Sequence, residues 1–135
     1  AFLAEGFPAM TESESSVIRA SLPEYFIKHL PTDLSIFAAF EDGALVSTVF
    51  LQAIDKPANP NYLTGKTSVI LNVYTRPEFR RRGMAQKLMQ AALEKAKELE
   101  YTVIELHAME AGIPLYVKLG FVSKNSPYLP MVFHP

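Results

Sequence analysis

Between Thr67 and His107 the chain runs through an apolar, β-branched segment, a basic loop, a long amphipathic segment and a second β-rich segment without interruption. This order constrains the fold more than any other feature. From Gly83 to Glu100, Met84, Leu88, Met89, Ala92, Leu93, Ala96 and Leu99 recur at spacings of three and four, which predicts one apolar face on a helix of about four to five turns. Strands at Thr67 to Thr75 and Tyr101 to His107, joined by such a helix, must lie parallel with a right-handed crossover. Pro77 forbids a regular continuation of the first strand.

The flanking segments predict hairpins and short helices. Ser35 to Phe40 and Ala44 to Ile54 are β-rich runs separated by Glu41-Asp42-Gly43, a strong turn signal. Phe121 to Lys124 and Met131 to His134 are expected to pair around a proline-bearing turn. Ser13 to Ala20 and Pro23 to Leu30 read as two short helices, the second capped by Ser21, and Ile113 to Leu119 as a helix ended by Gly120. The segment from Asp55 to Lys66, with Pro57, Asn59, Pro60, Asn61 and Gly65, is a loop. The expected class is α/β (α+β), a mixed and mostly antiparallel central sheet with helices on both faces. At 135 residues, one domain spanning 1–135 accounts for the whole chain.

Composition narrows the chemistry. The chain has no cysteine, which removes disulfides, thiolate metal ligands and a cysteine nucleophile, and three dispersed histidines make a zinc site unexpected. No apolar run is long enough to span a bilayer, so no membrane association is expected. Glu5 and Pro8 interrupt the apolar first residues, which therefore do not read as a signal peptide, and the expected location is cytoplasmic.

Charge is concentrated at one place. The formal net charge is −1, yet four of the five arginines, Arg76, Arg80, Arg81 and Arg82, fall within seven residues. Arg80-Arg81-Arg82-Gly83-Met84-Ala85 opens the long helix, where backbone N–H groups and the helix dipole favour a phosphate and a glycine lets it approach closely. No Gly-Lys-Ser/Thr follows, so this is not a Walker loop, and it lacks the three glycines of a dinucleotide fingerprint. A nucleic-acid partner is disfavoured by the slightly acidic total and the absence of a basic stripe.

A second motif stands at a fixed distance: Leu115-Tyr116-Val117-Lys118-Leu119-Gly120-Phe121. Together with R-x-x-G-x-A at Arg80 to Ala85 and the run Leu71-Asn72-Val73-Tyr74-Thr75, it resembles the GNAT superfamily of acetyl-CoA-dependent N-acyltransferases. The resemblance follows element order from residue 33 to 134 and is sharpest from 69 to 121. It implies a GNAT-like fold in which the two parallel strands splay apart to admit acetyl-CoA, the cosubstrate, with no metal. Backbone groups of Val73, Tyr74 and Thr75 would meet the pantetheine arm. N–H groups from Arg81 through Arg82, Gly83 and Met84 to Ala85 would hold the pyrophosphate, with charge from Arg80 and Arg82. Tyr116 would protonate the leaving thiolate, since a phenol is protonated at neutral pH. The other reading of Tyr116 is a core aromatic packed on Leu119 and Phe121.

The family's strand carboxylate has no counterpart here. Glu105, counted with Tyr116 among the catalytic residues, and His107 and Glu110 are candidate bases only through ordered water, each with a structural reading beside it, and Asn72 could position a water but not take a proton effectively. Met109 replaces an asparagine that contacts pantetheine in many relatives. Beginning at Ala1, the chain is expected to lack the family's first strand, which would expose a strand edge and leave homodimer association open. Glu5, Glu12, Glu14 and Glu24 make the first helices acidic, compatible with a cationic amine, and Tyr62 is a candidate lining residue. The implied activity is acetyl transfer from acetyl-CoA to a primary amine, small molecule or peptide, by direct attack in a ternary complex. The alternatives are a non-catalytic acetyl-CoA-binding or protein-interaction module of the same fold, and a nucleic-acid-binding domain.

Overall fold

The computed structural model describes Phe7 and residues 9–135. The expectations resting on the residues before Phe7, including Glu5 and the missing first strand, lie outside the described residues. Helix α1 spans Glu12–His29 and starts at Thr11, whose side chain accepts from Glu14 N at 3.2 Å while Glu14 Oε2 accepts from Thr11 N at 3.4 Å. This capping box satisfies two of the four amide groups that a helix start leaves without partners.

One helix replaces the two that the sequence predicts. Pro23 lies inside it, and Ser21 does not cap a second helix but donates its hydroxyl to Ile18 O at 3.0 Å. Proline deletes one helical N–H and crowds the preceding turn. Pro23 is exposed, so water can reach the carbonyl left without its donor.

Strands β1 (Leu34–Glu41) and β2 (Ala44–Asp55) form the expected hairpin. Asp42 and Gly43 at its tip have φ of 50° and 78°, the left-handed pair whose twist matches the flanking strands. Strand β3 (Lys66–Thr75) pairs antiparallel with β2 and parallel with β4 (Val103–Glu105), giving a sheet ordered β1-β2-β3-β4. Helix α2 (Met84–Glu98) provides the crossover, and α3 (Ile113–Lys118) follows β4.

Strand β4 is shorter than the predicted Tyr101 to His107. Its first residues are used to end α2: Glu100 takes a φ of 61°, and Tyr101 N donates back to Ala96 O at 3.0 Å. That is the hydrogen bond of a Schellman cap, with glutamate at the position glycine usually takes. The C-terminal hairpin does not form either. Phe121 to Lys124 and Met131 to His134 contain no strand, and Val122, Met131, Val132 and Phe133 are exposed. Pro127 and Pro130 remove donors from this segment, and β4 offers only three residues of edge to pair with.

The fully buried core joins Val49, Leu51 and Ile70 of the sheet to Met89, Ala92 and Ala96 of α2. These helix residues follow the predicted apolar stripe. On the opposite face, the Phe26 ring of α1 meets Phe50 edge-on at 6.0 Å, and Gln52 Nε2 donates to the Tyr25 hydroxyl at 2.6 Å. Helices therefore cover both faces of a mostly antiparallel sheet containing one parallel pair, as the sequence predicts. No helix among the described residues is long and apolar enough to cross a membrane.

Candidate functional site

The site begins with a fault in β3. Pairing with β2 slips between Thr48 and Phe50, so that Val49 faces both Asn72 and Val73, and Asn72 takes a φ of 51°. Asparagine tolerates this left-handed conformation better than the β-branched residues around it. The Thr48 hydroxyl, buried at the slip, donates to Asn72 O at 2.9 Å. On its other side β3 stays paired with β4 only through Thr67↔Val103, Ser68↔Ile104 and Val69↔Glu105. Past that point β3 runs on to Thr75 without a strand partner on this side among the described residues, in the place where the sequence resemblance implies a splay.

Backbone direction in the parted segment follows from strand alternation. Arg76 N donates to Val46 O at 2.8 Å, so Tyr74 also faces β2, and Val73 and Thr75 turn their N–H and C=O groups toward the open side. Thr75 O there accepts from Arg80 Nε at 2.9 Å. Arg80 also lies 5.6 Å from the Tyr74 ring centre, and Arg82 lies 5.2 Å from that of Phe79. Arg80 is thus tied to the loop's own backbone and Arg82 lies over a ring of the same loop, contacts that sequence position did not suggest.

The loop then turns into α2. Arg81 and Gly83 have φ of 63° and 77°. Lys87 N makes the first helical hydrogen bond, to Gly83 O at 3.1 Å, which leaves the N–H groups of Met84, Ala85 and Gln86 without helical acceptors. A cavity of about 310 Å³ opens over them, lined by Thr75, Phe79, Arg80, Arg81, Gly83, Met84, Ala85, Gln86 and Leu115. A Cβ on Gly83 would meet no protein atom within 4 Å, so that position has open space in front of it. Orphan N–H groups, a helix N-terminus and two arginines suit an anion.

Tyr116 stands beside Leu115 on α3. Its half-buried ring packs against the α2 core and meets Phe121 edge-on at 6.1 Å, as the core reading of this residue expects. Its hydroxyl has no hydrogen-bond partner among the described residues, and burial pushes the phenol above its ordinary value. Gly112 makes room for the ring: a Cβ there would lie 2.8 Å from Tyr116 Cε2 and 3.2 Å from its hydroxyl oxygen.

Glu105 ends β4 on the other face of the sheet. Ile104 and Leu106 pack on the α2 core, so Val103 and Glu105 point oppositely, into a second cavity of about 360 Å³ whose walls include Tyr62, Lys124, Pro127 and Tyr128. Glu105 Oε1 accepts from the Tyr62 hydroxyl at 3.1 Å and from Lys124 Nζ at 3.4 Å. Burial favours the neutral acid, but the Tyr62 hydrogen bond and the nearby Lys124 and Lys56 charges prevail and hold Glu105 below its ordinary value. The structure thus joins Tyr62 to Glu105 and separates both from Tyr116. His107, Met109 and Glu110 are exposed beyond β4. Lys124 carries no signal in the sequence that would associate it with Glu105. No cluster of three or more histidine, aspartate or glutamate side chains suited to a metal ion occurs among the described residues.

The sequence profile of the acetyltransferase (GNAT) family matches residues 5–121. No protein of curated function matches the chain. A predicted acetyltransferase from Clostridium acetobutylicum, solved with acetyl-CoA, is 30% identical with a TM-score of 0.75, over 85% of this chain and 75% of that one. A GCN5-related N-acetyltransferase from Ralstonia eutropha JMP134 is 26% identical with a TM-score of 0.74, over 90% and 81% of the two chains. An aminoglycoside acetyltransferase from an uncultured soil metagenomic sample, at 22% identity and a TM-score of 0.74 over 98% and 87%, shares the fold. With the parted strands and the anion-ready helix start already in place, the profile match over most of its length makes this chain a member of the acetyltransferase (GNAT) family.

Proposed function

We propose that this chain is a single-domain N-acetyltransferase that moves an acetyl group from acetyl-CoA to a primary amine by direct attack in a ternary complex. The observation that carries the reading is the alignment of the open backbone edge of β3 with the uncapped N–H groups of α2 around one cavity. The acetyl-CoA in the Clostridium acetobutylicum neighbour supports it.

Acetyl-CoA supplies the thioester and the leaving thiol. The N–H groups from Arg81 to Ala85 receive its pyrophosphate, and Arg80 and Arg82 add to the positive field. Val73 and Thr75 offer the pantetheine amides the backbone groups that β4 leaves unpaired, with Tyr74 flanking them. The Arg80 hydrogen bond to Thr75 O shares one of these acceptors. Val73 N–H is the donor placed to polarise the thioester carbonyl.

The amine nitrogen bonds to the carbonyl carbon and the carbon–sulfur bond breaks. Tyr116 gives its proton to the thiolate, and its raised pKa keeps that proton available at neutral pH. The nitrogen loses a proton through Glu105 and water. Glu105 is a weak base in its present setting, and its main contribution is to hold the amine electrostatically. We place the reaction in the cytoplasm.

An acetyl-CoA titration by calorimetry, with Gly83→Glu alongside, tests the reading. A carboxylate in the open space before Gly83 repels the pyrophosphate, so micromolar binding lost in the variant is the expected result. No binding by the native chain would end the enzyme reading, and binding without release of coenzyme A on any amine would favour the non-catalytic module.

A further inference from the structure

The second cavity carries information about the acceptor. Its floor is the Glu105 carboxylate, about one-third exposed and engaged by Tyr62 and Lys124. Lys56 lies behind Tyr62, its Nζ 3.9 Å over the ring centre, and its charge reaches Glu105. Two ammonium groups therefore surround one carboxylate. Val103, Pro127 and Tyr128 supply apolar wall. The acidic residues of α1, by contrast, stand elsewhere: Glu12, Glu14 and Glu24 are exposed, and Glu14 is used in the helix cap.

We propose that this cavity receives an amphoteric acceptor of the α-amino-acid class, its ammonium replacing Lys124 at Glu105 and its carboxylate pairing with the displaced Lys124. The inference rests on the acetyltransferase reading and names the acceptor class for it. Lys124 is exposed over about two-thirds of its side chain and can swing without disturbing the core. A zwitterion exchanges one ion pair for two. A polycation such as a polyamine meets Lys124 and Lys56 with like charge and offers neither of them a partner. The position also fits. Val69↔Glu105 is the last paired row before β3 and β4 part, so an amine held at Glu105 lies at the foot of the opening through which the thioester would be presented.

The test measures coenzyme A release by the full chain with the standard amino acids, the decarboxylated counterpart of each one accepted, and spermidine. At least one amino acid is expected to exceed its decarboxylated counterpart by about 10-fold or more in kcat/KM, because the counterpart leaves Lys124 without its partner. Lys124→Met keeps the aliphatic stem and removes the charge, and it is expected to collapse that ratio toward one through a higher KM for the amino acid. Preference for spermidine or for the decarboxylated amine, or a ratio that survives Lys124→Met, would overturn the inference. An acetyl-CoA titration of the same preparation separates the failures. A chain that binds acetyl-CoA but acetylates no amino acid overturns the acceptor assignment alone, whereas one that binds no acetyl-CoA overturns the enzyme reading and the assignment with it.

Discussion

The Thr48 hydroxyl donates to the Asn72 carbonyl oxygen across 2.9 Å, tying β2 to the one residue of β3 that leaves the extended conformation. The bond matters because the slip at Asn72 decides which way the following backbone faces. With one residue fewer in β3, Val73 and Thr75 would exchange roles with Tyr74 and point their amides at β2.

Thr48→Val removes that donor while keeping a similar shape. The Asn72 carbonyl, on an exposed residue, then loses its side-chain donor, and stability is expected to fall by about 1 kcal/mol in urea unfolding. If the slip must be re-formed when ligand binds, each 1.4 kcal/mol lost weakens acetyl-CoA binding by about 10-fold. Unaltered affinity in a destabilised variant would detach the slip from the site.

Tyr116→Phe should lower turnover by about 10² to 10⁴ while leaving acetyl-CoA affinity nearly constant, since only the proton donor is lost. Gly112→Ala offers an independent route to the same residue. Gly112 has a φ of −89°, which alanine adopts freely, but the new Cβ would stand 2.8 Å from Tyr116 Cε2 and force the ring aside. Displacing the hydroxyl by about 1 Å is expected to cost about 10²-fold in turnover. A Tyr116→Phe rate equal to wild type would remove Tyr116 from the mechanism, whatever Gly112→Ala does.

The elements that sequence reveals are those with a period or a forced turn. Strands β1 to β3 and helix α2 lie within a residue or two of their expected positions because Met84 to Leu99 repeat at helical spacing and Asp42-Gly43 leaves the chain one way to turn. Pro23 misled because an exposed helix face tolerates a proline that a buried one would reject. The C-terminal strands misled because a short apolar run from Met131 to His134 says nothing about whether an edge exists to receive it. At the site, the loop and Tyr116 were legible as contiguous motifs. The slip at Asn72 left one faint trace, an asparagine inside a β-branched run. The meeting of Tyr62, Glu105 and Lys124 left none, since residues that converge only through the fold share no spacing.

Gly65 closes the loop that delivers Tyr62 to Glu105. Its φ is 70°, and a Cβ there would lie 2.1 Å from the backbone oxygen of Lys56, a residue held beside it because Lys56 N donates to Gly65 O at 2.9 Å. Gly65→Ala combines a left-handed backbone with a main-chain clash, and a cost of about 2 to 4 kcal/mol is expected. Gly83→Ala, with a φ of 77° and open space, carries only the backbone term of about 1 to 2 kcal/mol. Urea unfolding of the pair checks the difference, and equal losses would mean that the Lys56 carbonyl moves aside at no cost.

Asp33 should make stability depend on acid pH. Its Oδ1 lies 2.7 Å from His29 Nδ1 and accepts from the Thr32 hydroxyl at 3.0 Å, while Oδ2 accepts from Gln52 Nε2 at 3.2 Å. Burial raises the carboxyl, yet these hydrogen bonds and the His29 charge outweigh it and leave Asp33 below its ordinary value near 3.8. A carboxyl depressed in the folded state stabilises fully above its unfolded pKa, and that contribution disappears as pH falls through the folded value. Asp33→Asn lacks the titrating charge. The native chain should therefore exceed the variant in urea midpoint at neutral pH, and the gap should close progressively once pH drops below about 3.8. A gap of constant size across a pH series from neutral to strongly acidic would show that the His29–Asp33–Gln52 junction contributes through shape alone.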